Sequence, residues 1–246
     1  MAVAGGRATG AGTLSAKSDT HSEIVKLARL LHVEQDSLAY LGGVPAQDLR
    51  EYREQIVDLL YDDDREQLSR AAEAARLLPA ATLAKIGERA LGPLICAHLS
   101  GLLDPERAAE IARHFATEFL TELAAEMDPR RAVAVIAATP PETVVTIAVA
   151  MARRGEHVAM GRFVAHLDDA TLTEAIEQLS DEDLLQVAFV LEGERAHERM
   201  FELAGAERMR AMLAGAKGAH LEEEATHLRD NLSATQRKRL QAKTAK

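Results

Sequence analysis

The chain has 246 residues, 47% hydrophobic but only 3% aromatic and without Trp, so any sizeable core must be filled by Leu, Ala, Val, Ile and Met rather than by large rings. A surplus of 39 acidic over 29 basic residues, a net charge of -10, disfavours general nucleic-acid binding and suits basic partners or cations. Cys96 is the single cysteine, which excludes an internal disulfide and a multi-cysteine metal site and fits a reducing, cytoplasmic setting.

Residues 1–17 are rich in Gly, Ala, Ser and Thr, lack the apolar block of a secretory signal, and read as a disordered arm. From Asp19 to His32 the residues Ile24, Leu27, Ala28, Leu30 and Leu31 recur at helical spacing and predict a first amphipathic helix. Gly42-Gly43 and Pro45 then break the chain. A second helix is expected from Ala46 to Leu60, with Leu49, Tyr52, Ile56, Leu59 and Leu60 on one face, and a third from Asp64 to Leu78. Together these form an N-terminal helical cap over 18–78. Asp62-Asp63-Asp64 with Glu66 clusters oxygen ligands, yet the run lacks the glycine and the later acid of a calcium loop and equally reads as an acidic turn capping the third helix.

Beyond Pro79 the turn and cap signals recur about every twelve residues, the signature of a repeat array. They fall near Pro79, Gly92-Pro93, Asp104-Pro105, Thr117-Glu118, Asp128-Pro129, Thr139-Pro140-Pro141, Gly155-Glu156, Asp168-Asp169, Ser180-Asp181, Gly193-Glu194, Gly205-Ala206 and Gly215. Asp, Ser or Thr supplies an N-cap acceptor, and Pro suits the first helical position because it has no N–H to lose. Between boundaries each segment carries one apolar stripe, such as Ala108, Ile111, Ala112 and Phe115, or Leu172, Ala175, Ile176 and Leu179. Helices of two to three turns are marginal alone, so they must stack and share a core. The expected fold is all-α: a superhelical stack of short helices over 79–216, preceded by three N-terminal helices. A last helix from Ala219 to Asn231 and a basic, polar tail beginning at Ser233 complete 217–246. The apolar stretch from Ala132 to Ala152 is interrupted by Pro140, Pro141 and Glu142, so no membrane insertion is expected.

Leu103-Asp104-Pro105-Glu106-Arg107-Ala108-Ala109-Glu110-Ile111 and Met127-Asp128-Pro129-Arg130-Arg131-Ala132-Val133 resemble the short-helix repeats of the MgtE-type magnesium transporter N-terminal domain. The flagellar motor switch protein of the FliG type is similar in this respect. The resemblance covers roughly Leu78 to Gly215 and implies a curved stack that contacts other protein segments. It carries over no magnesium ligand, and neither a transmembrane pore nor a paired nucleotide-binding module accompanies the repeats.

No Gly-x-Ser-x-Gly elbow, nucleotide loop or His-Glu-x-x-His pattern is present, so no enzyme and no cofactor is expected. His220, Glu223, Glu224 and His227 lie along one side of the last helix as a candidate metal set, or equally as a solvated polar face. Cys96, between Ile95 and Ala97, reads as a buried, unactivated thiol. Around Arg153, Arg154, His157, Arg162 and Phe163 the rhythm slips by about three residues, which marks a candidate interaction loop; alternatively Gly155 ends a helix there. Three functions follow: a non-enzymatic protein-interaction scaffold, with homo-oligomers possible; a cytosolic divalent-cation (magnesium) sensor or transport regulator; and a carrier of a small apolar ligand between the helices. An arginine-to-lysine ratio of 22 to 7 and abundant alanine suggest a bacterial source.

Overall fold

A computed structural model describes residues 10–63, 65–192 and 195–242. Among them are fifteen α-helices and no strand, as the composition predicts. The helices are α1 (Gly10–Leu31), α2 (Ala46–Asp63), α3 (Arg65–Ala75), α4 (Ala80–Ile86), α5 (Gly92–Ser100), α6 (Pro105–Ala112), α7 (Thr117–Glu126) and α8 (Pro129–Ala138). They continue as α9 (Pro141–Arg153), α10 (His157–Phe163), α11 (Asp169–Gln178), α12 (Asp181–Phe189), α13 (Ala196–Ala219), α14 (Glu222–Asp230) and α15 (Ala234–Gln241).

The caps do what the boundary chemistry requires. The carboxylates of Asp104, Asp128 and Asp168 accept the backbone N–H of Arg107, Arg130 and Thr171, and the Ser180 hydroxyl accepts that of Asp183. Each such cap contributes about 1 kcal/mol. Pro105, Pro129 and Pro141 open their helices. Short, well-terminated helices reverse direction often, and each packs on the second helix along: α5 on α7, α7 on α9, α9 on α11 and α11 on α13. In the second row α4 meets α6, α6 meets α8, and α10 meets α12, which meets α14. The 3₁₀ turn Val164–His166 continues α10 and contacts α8, joining the two halves of that row.

Helix α1 has a small core of its own with α2 and the 3₁₀ turn Gln35–Gly43, formed by Ile24, Leu27, Ala28, Leu38 and Leu49. It docks on the repeats through α10 and α14. Arg29 reaches Glu156 at 3.1 Å and Glu126 at 3.4 Å. On the other side of the cap, the Asp128 N–H donates to the Tyr61 hydroxyl, whose ring stacks on His98 and lies under the Arg131 guanidinium.

Several expectations are corrected. Helix α1 begins at Gly10, inside the segment read as a disordered arm, while residues 1–9 lie outside the described part. The boundary expected at Gly193-Glu194 also lies outside it. Gly205 does break the backbone, with φ +78. No break occurs at Gly215: α13 runs through it and ends where His220 adopts a left-handed conformation. In the tail from Ser233, residues Ala234–Gln241 form α15, opened by a capping box in which Ser233 and Gln236 satisfy each other's backbone N–H, and residues 243–246 lie outside the described part. Arg239 places its guanidinium over the Phe201 ring and pairs with Glu202, which tethers this polar helix to α13.

Candidate functional site: an apolar cavity between the helix rows

The repeat region has three buried apolar clusters instead of one. Cys96, Ala97, Leu123, Met127 and Ala132 form one, Ala80, Ala84 and Ile111 a second, and a larger group from Ala124 to Leu232 the third. Between them runs a cavity of about 210 Å³, lined from Ala75 at the end of α3 to Met200 in α13, with walls from both rows. Alanines, as at 112, 124, 148 and 175, leave space that leucines would fill, and Met127, Met151, Met160 and Met200 give the wall adaptable side chains.

No charged side chain lines it. Its few polar groups are occupied or neutral: the Ser100 hydroxyl donates to the Ala97 carbonyl at 2.7 Å and that of Thr139 to Val135 at 2.8 Å. Burial pushes the Cys96 thiol up to about 11, so it stays protonated and unreactive at neutral pH. A cavity of this chemistry offers water too few partners to hold it.

Two glycines permit close approach of neighbouring helices beside the cavity. A π-helical turn at Gly87–Leu91 links α4 to α5, and a Cβ on Gly87 would sit 3.0 Å from both Cys96 Sγ and the Phe115 ring. At the other end Gly161 lets α10 approach the chain end of α12, where a Cβ would lie 2.9 Å from the Val190 carbonyl oxygen. These glycines serve close approach.

The candidate metal set does not converge. Glu223 hydrogen-bonds His21 of α1 at 2.6 Å, and His227 is buried with its Nδ1 at 3.0 Å from the Ser18 hydroxyl. His220 sits at the C-cap of α13 and Glu224 in the first turn of α14. Among the described residues no three His, Cys, Asp or Glu side chains form a group able to hold a metal ion. No protein-family model, curated protein or solved structure matches this chain.

The slip in the rhythm is a packed junction. Gly155, at φ +74, donates to the Ala152 carbonyl and Glu156 to that of Met151, a Schellman arrangement that closes α9. Arg153 is exposed at the end of α9, and Arg154 pairs with Glu122 at 3.0 Å. His157 Nε2 lies 2.7 Å from Asp183, joining α10 to α12. Arg162 points to the buried carboxylate of Asp128 at 3.5 Å. Of the five residues read as an interaction loop, Phe163 alone lines the cavity. Sequence reasoning found the alanine- and methionine-rich composition behind the cavity. It could not place it, because the lining is drawn from eleven helices and the turns between them.

Proposed function

We propose that this chain is a binding protein, not a catalyst, and that it holds a slender apolar ligand, such as an alkyl or acyl chain, between its two rows of helices. One observation carries the reading: a cavity of about 210 Å³ that is lined by helices from α3 to α13 and has no charged group in its wall. The wall recognises shape and apolarity, so it discriminates among chain lengths weakly, at roughly 1–3 kcal/mol per methylene at best.

Filling the space tests this. Ala124→Leu combined with Ala148→Leu puts branched side chains where the alanines border the cavity. The expected result is uptake of a pyrene-labelled fatty acid weakened at least about tenfold, with a change in stability of no more than about 1–2 kcal/mol. Equal uptake by the filled variant would rule out the cavity as the binding site.

A second reading, a protein-docking scaffold, is supported by the exposed Tyr40, Tyr52, Leu59 and Leu60 on the N-terminal helices. It would be preferred if the purified protein carried no extractable apolar ligand while Tyr52→Ser with Leu59→Ser abolished a protein association. The cation-sensor reading keeps only the net charge of -10 and the repeat resemblance as support.

A further inference from the structure

The two ends of the repeat region differ. At the C-terminal end α13, α14 and α15 pack over the stack and bury Met209, Met212, Leu228 and Leu232. At the N-terminal end, where α3, α4 and α5 meet, apolar side chains remain in solvent: Leu77 is 86% exposed and Leu94 49%, with Leu78, Ile86 and Leu91 near 40%. This patch is continuous with the cavity. Ala75, Leu83 and Leu91 line the cavity here, and each is followed within three residues by an exposed Leu or Ile. Leu91 does both, being the most exposed of the lining residues.

The charge around that mouth runs against the rest of the chain. Residues 76–94 carry Arg76, Lys85 and Arg89 against Glu88, in a protein of net charge -10. Glu88 accepts the Ala116 N–H at 2.9 Å and keeps its negative charge, which leaves the segment with an excess of two positive charges. The three cations are exposed. Exposed leucines interleaved with a net excess of Arg and Lys match an anionic lipid surface: the apolar side chains enter the acyl boundary while the cations meet the head groups.

We propose that the α3–α5 end docks reversibly on anionic lipid membranes and is the mouth through which an acyl chain passes into the cavity, the anionic head remaining with Arg76, Lys85 and Arg89. This rests on the cavity being a binding site for apolar chains. It makes the ligand an amphiphile with a negative head and the membrane its source.

Vesicle flotation with the full chain tests it, using phosphatidylcholine alone and phosphatidylcholine with phosphatidylglycerol. The expected result is binding to the anionic vesicles only, weakened by salt. Lys85→Glu with Arg89→Glu reduces that binding about 30-fold or more, and Leu77→Ser with Leu94→Ser reduces it at least about tenfold. All these side chains are exposed, so helicity by circular dichroism stays at the wild-type level. Uptake of the pyrene-labelled fatty acid, measured without vesicles, separates the two ideas. Uptake without vesicle binding overturns the membrane inference and leaves the cavity reading standing. Vesicle binding that both variants retain places the contact elsewhere and also overturns it, as does a concentration-dependent dimer that covers Leu77 and Leu94. Absence of both vesicle binding and uptake removes the two together.

Discussion

Glu23→Ala is expected to destabilise the protein by about 3–5 kcal/mol, read as a lower denaturation midpoint with little change in slope. Glu23 lies on α1 with 2% of its surface exposed, and its carboxylate serves three cations. It accepts from Lys26 at 2.8 Å, from Arg50 at 3.0 Å and from Arg53 at 3.3 Å. Lys26 and Arg53 are themselves buried, at 3% and 5% exposure. Glu192, after α12, stands 2.8 Å from Arg53 Nη2, but the two atoms are out of hydrogen-bond alignment, so that contact is an ion pair only. Removing Glu23 leaves two buried cations facing one remaining carboxylate. The loss is therefore that of stranded charges, far above the ~0–1 kcal/mol of a surface pair. The exposed Arg70–Glu66 pair is the control, and Arg70→Ala should shift the midpoint very little. Burial pushes the Glu23 carboxyl up, but Lys26 and Arg53 outweigh it and hold it below its ordinary 4.5. Its stabilising contribution is accordingly present above about pH 4.5 and is lost as pH falls through the lower folded value.

Acid should loosen the junction of α1, α13 and α14 at a higher pH than that. His197 and His227 face each other there, ring centres 5.3 Å apart, with Phe189 against His227. His197 Nε2–H donates to the Ala188 carbonyl at 2.9 Å, and His227 Nδ1 meets Ser18 at 3.0 Å and Asp19 at 3.5 Å. Burial pushes both imidazoles down to about 4, with the neighbouring His227 adding to the effect on His197 and Lys26 to that on His227. Since the folded values lie below the ordinary 6.5, these residues stabilise the fold fully above pH 6.5 and withdraw that support as pH falls toward 4. The loss is of the order of 3 kcal/mol or more for the pair, which titrates as a unit because the two rings interact. Asp19 works against it: burial pushes its carboxyl up, so it takes its proton more readily in the folded state. Thermal melts across pH 7 to 4 measure the effect, and replacing both rings in His197→Gln with His227→Asn should flatten the profile. A wild-type melting temperature constant over that range would contradict it.

Much of the repeat region was legible because its boundaries are local chemistry. A Pro at the first helical position or an Asp one residue earlier acts within a single turn, so Asp104-Pro105 and Asp128-Pro129 mark real helix starts. Gly215 misled because a glycine signals a stop only where the backbone adopts positive φ, and the packed α13 keeps it helical. Long-range polar contacts gave no signal at all. Arg199 donates to the Val164 and Leu167 carbonyls and pairs with Asp169. Nine positions on, Arg208 does the same for Ile176, Leu179 and Asp181. Arg199 and Arg208 thus each satisfy the carbonyl end of one helix and the acidic start of the next. The role depends on partners about thirty residues away, as sequence spacing alone cannot reveal. Ser233-x-x-Gln236 is the opposite case, a local capping box present in the sequence beneath a polar composition that read only as a tail.

The methionines provide the most direct test of the central claim. Met127, Met151, Met160 and Met200 line the cavity, whereas Met209 and Met212 are fully buried outside its lining. With carbon-13 in the methionine methyls, titration with a fatty acid is followed by methyl resonance shifts. The cavity account predicts saturable shifts of the four lining methyls, with those of Met209 and Met212 nearly unmoved. Lining methyls that stay in place through saturating ligand, or shifts spread equally over all six, would contradict it.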